Sequence, residues 1–434
     1  MRNWSEADEA YCSGQDDLES VDRVAHFLGI PYKVVDFQKE YWNQVFQPVL
    51  EAYRTGMTPN PDVLCNKEIK FKSLTDFVFS RTPSPDYLAT GHYAQLIEDP
   101  LHPGIVNLRE AVDPNKDQTY FLLQVSQHAL KRVMFPIGHL TKPQVREIAV
   151  KANLPNANRK ESMGLCFVGK RKFDQFIGEF TSRPGTHPGA IKDVNTGGTV
   201  GIHKGAMFYT VGQAANISGA PSRMFVVSKN AKLNTITVCE GSHHPSLYKD
   251  RLKATSFNWI SGYVPHDLSY NSATPASTSA PQSTSPSLKC LARVRHRQEL
   301  KSCTVSLTHS LESPSEISVV FDQPLRAITE GQYIGLYLDG VCLGGGIISE
   351  TGDSYHTLRK QVPLQEKSNS LQSPSPTAES AFASSSSSST AQTLPLGKGH
   401  SSTGSTKTPR KQREKVGNHP AQSSPTTTSV HVSL

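Results

Sequence analysis

The sequence predicts an α/β domain with a parallel sheet, then a small β-rich module, then a barrel or sandwich of short strands. Three observations carry this. Up to about residue 170, strand-like runs alternate with amphipathic helical patterns. From 171 to 240, Gly and Pro punctuate short β-like runs such as PGAIKD, RMFVVSK and NTITVCEG. From 241 to 364 come CLARVRHRQEL, SCTVSLTH, EISVVFDQ and GQYIGLYLDGVCLGGGIIS, many short strands in little chain.

The first helix is expected over 16–29, where Leu18, Val21, Val24, Ala25 and Leu28 make a stripe closed by Gly29 and Pro31. YKVVDF (32–37) reads as a strand. YWNQVFQPVLEAYR (41–54) reads as a helix bent at Pro48. DYLATGHYA (86–94) reads as a strand. Helices follow at 117–132 and 142–152, the latter with Thr141 as N-cap. Gly344 to Gly346 mark a bulge or a close backbone approach. Two stretches cannot build a core and read as disordered: a Ser/Thr/Pro insert within 265–288, and the tail 365–434 with its SSSSSST run and KTPRKQREK cluster.

The 434 residues allow two or three domains. The net charge of +7 fits an anionic partner such as nucleic acid without specifying one. Seven cysteines stand at 12, 65, 166, 239, 290, 303 and 342, an odd and widely spaced set with no CxxC. This argues against a disulfide scaffold or a structural zinc site and for a reducing compartment. No run has the length of a membrane span, so no membrane is expected. The polar, acidic start resembles neither a secretory signal nor an Arg-rich transit peptide.

The chemistry-bearing stretch is TPNPDVLCNKEIKF (58–71). Two prolines one residue apart stiffen the backbone ahead of Asp62 and Cys65. A lone Cys is most often a small buried hydrophobe. Here Lys67 and Lys70 would favour thiolate, and Asp62 could move a proton beside it. Cys166, in ESMGLCFVGKRKF, reads equally as a core residue or as part of an electropositive loop. If the two thiols meet, they form a pair able to exchange sulfur. ARVRHRQ (292–298) reads as a strand with Arg293, Arg295 and Arg297 on one face, suited to phosphates, though an ordinary solvated face is the plainer reading. His243 and His244 lie in a turn with no further ligand set.

TPNPDVLCN-KEIKF, ATGHYA, KDQTYFL, ESMGLCFVGKRKF, G-H-KGAMFYTVGQ and RAITEGQYIGLYLDGVCLGGGII stand in one order over residues 1–350. This set resembles the tRNA-specific 2-thiouridylases. The resemblance implies a nucleotide-binding, Rossmann-like PP-loop domain over 1–170, a central β-rich domain and a C-terminal β-barrel. It implies a sulfurtransferase that places sulfur at C2 of the wobble uridine (position 34) of tRNA. ATP, with Mg, would activate the oxygen, and persulfide sulfur would come from a sulfur-relay donor protein. Cys166 would carry the persulfide, Cys65 would release the sulfur by forming a disulfide with it, and Asp62 would act as general acid or base. Asn60, Pro61 and Asp62 would contact the target base. His92, Lys116, Asp117, Gln118, Arg295, His296 and Gln332 would contact tRNA, and Met1 and Gly91 would contact ATP. A single-stranded uridine can be splayed into such a pocket. The resemblance further implies a monomer and, for a eukaryotic member, a mitochondrial location.

Two departures stand out. The family's SGGxDS phosphate loop is absent, and with it the first βαβ unit; the match starts after the second strand of the nucleotide domain. Ala214 stands where the family shows Arg. Two other readings therefore stay in view: a non-catalytic tRNA-binding protein without ATP activation, and a dithiol carrier using Cys65 and Cys166 without RNA.

Overall fold

A computed structural model of the chain describes residues 1–4, 14–160, 173–180, 187–220, 222–268, 286–308 and 315–363. Cys166, most of the 265–288 insert and the 365–434 tail lie outside them. Helix α1 (Gly14–Leu28) opens the first domain. Next, α2 (Gln38–Tyr41), a π-turn (Trp42–Phe46) and α3 (Gln47–Arg54) form one run. Pro48 has no N–H to give to the ladder, and a wider π-turn ends at Phe46, two residues before it, within the expected helical run. A second run follows: α4 (Pro61–Leu64), a π-segment (Cys65–Ser73) and α5 (Leu74–Phe79). Trp4, Trp42 and Phe46 pack with Phe176 and Phe180, ring centroids 4.9–5.9 Å apart. That cluster ties residue 4 and the α2–α3 run to the helix at 173–179, each aromatic pair adding about 0.5–1.5 kcal/mol beyond its burial.

The parallel strands are short. β1 (Leu88–Ala89) pairs in parallel with a later strand at Val133–Met134, and Arg2 bridges Asp36 in parallel. The expected strand at 32–37 thus reduces to one bridge, and that at 86–94 to two residues, after which the chain turns inward to bury His92. The expected 117–132 helix is two short helices, α6 (Thr119–Leu122) and α7 (Gln127–Leu130), the second capped by Ser126. Helix α8 (Lys142–Lys151) carries the expected Thr141 cap, closed into a capping box by Gln144. α9 is Phe173–Glu179.

β2 (Gln95–Glu98) and β3 (Val106–Arg109) form a hairpin within the first domain. β4 is the Val133–Met134 strand. The central domain is a five-stranded sheet, in spatial order β6 (Thr199–His203), β5 (Gly189–Asp193), β9 (Thr235–Glu240), β8 (Met224–Asn230), β7 (Ala214–Ala215). β10 (Tyr248–Trp259), β11 (Ser287–Arg293), β12 (Lys301–Leu307), β13 (Ile317–Arg326), β14 (Tyr333–Leu338) and β15 (Val341–Thr351) close into a six-stranded barrel, because β10 pairs with both β13 and β15. Closure removes exposed edges. β15 also pairs with β3, so the first domain's hairpin extends the barrel sheet. At Gly344 (φ +139°) a Cβ would lie 1.8 Å from the Asn258 carbonyl oxygen, the close approach expected of that glycine run. The stretch read as disordered insert is shorter at both ends: residues 266–268 form a turn burying Leu268, and β11 begins at Ser287.

Candidate active site at the start of helix α4

The Thr58–Phe71 stretch folds as its residue types dictate. Asn60 sits in extended backbone (φ −118°, ψ 98°), and its side chain accepts the Asp62 and Val63 amides at 3.2 and 3.3 Å. Pro61, at the first helical position, lacks the amide that a helix start leaves unpaired. The prolines and the cap thus start a helix at a fixed angle. Asp62 stands in its first turn. Cys65 lies three residues on, on the same helical face. From Cys65 the helix loosens into π geometry, broken at Phe71 (φ −107°, ψ 18°), a distortion that recurs at functional sites.

Asp62 is exposed on one side, yet the protein mass around it raises its carboxyl above the usual range, against the pull of the Lys70 ammonium. A carboxyl shifted upward holds its proton more readily than a free one, which suits a group that passes a proton. Cys65 is buried at 6% exposure, its sulfur 3.8 Å from Asn3 Nδ2. Asn66 Nδ2 donates to the Asp62 carbonyl at 3.0 Å, and its Oδ1 is 3.2 Å from His92 Nε2. That oxygen can only accept, so Nε2 carries the proton and Nδ1 accepts from Thr90 Oγ1 at 2.7 Å. Burial, helped by Lys70, lowers His92 to about 3. His92 is therefore a neutral brace, packed between Phe71 and Phe135.

Thr58 leads into the cap and is held from elsewhere. Its amide donates to the Glu330 carbonyl at 2.9 Å. Gln332 Nε2 donates to the carbonyls of Thr58 (2.8 Å) and Pro59 (3.3 Å), so Gln332 braces the site loop. Gly331 (φ +88°) allows the contact: a Cβ there would lie 2.7 Å from the Thr58 amide nitrogen. Thr58, Asn66 and Gly331 lie inside the quoted motifs, but their bracing roles depend on partners distant in sequence and were not assigned from it.

The other expected contacts form a second group. Asp117 is buried at 3% exposure; it accepts the Ala111 amide (3.1 Å) and the Thr119 hydroxyl (2.7 Å) and pairs with Arg293 (3.4 Å). Gln118 accepts the Tyr93 amide at 2.9 Å and donates its own amide to the Tyr93 carbonyl. Lys116 is half-buried. His296 stacks on Phe121, centroids 4.3 Å apart, and burial lowers its pKa. Arg295 donates to the carbonyls of Arg326 and Ala327. The arginine stripe at 292–298 is overturned: β11 ends at Arg293, the chain turns, and Arg297 takes a left-handed φ of +64°. Arg293 points inward to Asp117 and Glu110 and over the Tyr337 ring.

Met1 and Gly91 are exposed, and a Cβ on Gly91 would meet only Ile137, at 4.0 Å. Among the described residues no cluster of His, Cys, Asp or Glu could hold a metal, and no helix is long and apolar enough to cross a membrane.

Residues 1–170 match the tRNA methyl transferase HUP domain family, 175–240 the tRNA methyl transferase PRC-barrel domain and 249–348 the aminomethyltransferase β-barrel domain. A tRNA-specific 2-thiouridylase MnmA of Shouchella clausii is 43% identical over 353 residues, covering 81% of this chain and 88% of that protein. The protein of the same name from Francisella tularensis subsp. novicida is 40% identical over 357 residues, covering 80% and 90%.

Proposed function

The chain belongs to the tRNA-specific 2-thiouridylase family, and from that premise we propose that it is a tRNA-uridine 2-sulfurtransferase acting at C2 of the wobble uridine, position 34. The observation that carries the reading is the capped helix start, which holds Asp62 and Cys65 one turn apart on one face. Asn60, Pro61 and the raised Asp62 carboxyl would meet the extruded base, and Asp62 would move the proton there.

Sulfur release is assigned to the two thiols. Cys166 would bear the persulfide, whose terminal sulfur bonds to C2. The Cys65 thiolate then attacks the Cys166 Sγ. The S–S bond breaks, its electron pair stays on the transferred sulfur, and a Cys65–Cys166 disulfide remains for a dithiol reductant to reopen. Cys166 lies outside the described residues, so this pairing rests on the family resemblance. When bound, ATP with Mg would make the uridine oxygen a leaving group. Among the described residues the resemblance places only Met1 and Gly91 at ATP, and no Gly-rich loop stands at a helix N-terminus to take its phosphates. A sulfur-relay donor protein, a monomeric state and a mitochondrial location belong to the same reading and rest on resemblance alone.

The test is direct. The chain is incubated with unmodified tRNA, ATP, Mg and a cysteine desulfurase with cysteine, and digested tRNA is assayed for 2-thiouridine by mass spectrometry. Product is expected, and Cys65→Ser or Cys166→Ser abolishes it. Salt-dependent tRNA binding with no product would leave a binding protein. Product from the Cys166→Ser chain would overturn the sulfur assignment.

A further inference from the structure

Three domains meet at residues 56–59, immediately before the Asn60 cap. Gly56 (φ +87°) brings the chain against the central domain: a Cβ there would lie 3.2 Å from Ala231 Cβ. The barrel supplies the Glu330 carbonyl and the Gln332 amide, which are neutral. The central domain supplies a cation: Lys229, on β8, donates from Nζ to Thr58 Oγ1 at 3.0 Å and to the Met57 carbonyl at 3.4 Å.

We propose that Lys229 is a positioning residue for sulfur transfer, fixing Met57 and Thr58 so that Asn60, Asp62 and Cys65 are presented in one geometry. The assignment rests on the sulfurtransferase reading above. Two ammonium bonds end on consecutive residues of the site loop, from a β-strand rather than a mobile loop. Glu330 is a countercharge that acts on Lys229 and favours its charged form. Glu330 is itself shared, since Thr351 Oγ1 is 3.3 Å from its carboxylate and accepts from Lys249 Nζ at 2.6 Å; Asp353 faces Lys249 as well. Burial lowers Lys229 to about 8 despite Glu330, so keeping a charge here opposes stability. A methionine of similar length would fill the same space, so the cation is explained by what it holds.

The test compares Lys229→Met and Lys229→Arg with the unaltered full chain. One readout is the rate at which iodoacetamide labels Cys65, measured on the Cys65 peptide. The others are kcat and KM for tRNA in the 2-thiouridine assay, with Tm as a folding control. In Lys229→Met, Cys65 should label about tenfold faster and kcat should fall at least about tenfold, with KM for tRNA changed less than about threefold. Lys229→Arg, which keeps charge and donors, should stay within about threefold of the unaltered chain on every readout. If Lys229→Met does not fold, Thr58→Val removes one acceptor and should shift labelling and kcat in the same direction. Unaltered labelling and kcat in the folded Met or Val chain would overturn the proposal. So would a loss confined to KM. A chain that makes no 2-thiouridine at all would refute the functional reading, while the labelling rates would still decide the role of Lys229.

Discussion

Replacing Arg293 by Met should open the junction between barrel and first domain. The Arg293 side chain is 9% exposed and its partner Asp117 3%, whereas Glu110 is 27% exposed. The Asp117 contact is therefore the desolvated one, and the Glu110 contact a rim pair worth about 0–1 kcal/mol. Removing one member of a buried pair leaves the other charge uncompensated, at about 3–5 kcal/mol. Asp117 keeps the Ala111 amide and the Thr119 hydroxyl, which lowers the expected cost to about 3 kcal/mol. The reporter is built in: the Ala111 amide donates to Asp117 Oδ1 at 3.1 Å. Native-state hydrogen exchange at Ala111 should accelerate about 100-fold, since each 1.4 kcal/mol is tenfold. Asp117→Asn alone should cost less, because Arg293 keeps Glu110 and the Tyr337 ring. The double variant should cost less than the sum by about 1–2 kcal/mol. An acceleration below tenfold in Arg293→Met, or strict additivity in the cycle, would refute the claim that this pair joins the two domains.

Three further outcomes are expected. Because His92 falls from 6.5 to about 3 on folding, the unfolded chain binds the extra proton between those values; stability should be full above pH 6.5 and drop by up to about 1.4 kcal/mol per pH unit below it. His92→Gln should flatten that acid limb in urea titrations read by circular dichroism; an unchanged limb would show that His92 is not its source. Asp62→Asn should lower kcat by about 10²–10⁴ while leaving Tm within about 2 °C, because the Asn60 cap and the Asn66 bond use the backbone of residue 62. A wild-type kcat would remove Asp62 from proton transfer. Gly331→Ala meets both a left-handed φ and the Thr58 amide, so 2-thiouridine formation should fall at least tenfold and Cys65 should become easier to alkylate, a pairing that an intact loop would not show.

Local chemistry was legible in the sequence and long-range bracing was not. Helix α8 and its Thr141 cap follow from signals inside the segment itself, and the structure adds Gln144 as the partner that closes the capping box. The helix start at Asn60 and Pro61 is equally local. The arginine stripe failed because period two predicts a shared face only while a strand persists, and β11 stops at Arg293. With the strand gone, Arg293 serves a buried carboxylate and Arg295 serves carbonyls. Asp117 was placed among RNA contacts, yet its oxygens are committed inside the protein.

The same division explains why the site needs all three domains. A cap and two prolines set the direction of a helix, but they do not hold the loop that leads into it. Thr58 is buried at 6% exposure, and its backbone amide, backbone carbonyl and hydroxyl each have a partner more than 170 residues away: Glu330, Gln332 and Lys229. A buried polar group without a partner costs about 1–3 kcal/mol, so the loop finds its partners only when barrel and central sheet are both docked. Docking and alignment of Asp62 with Cys65 are then one event. A chain with either later domain loosened would keep its α4 helix but lose the fixed approach to it, which places the loss in kcat rather than in the helix itself.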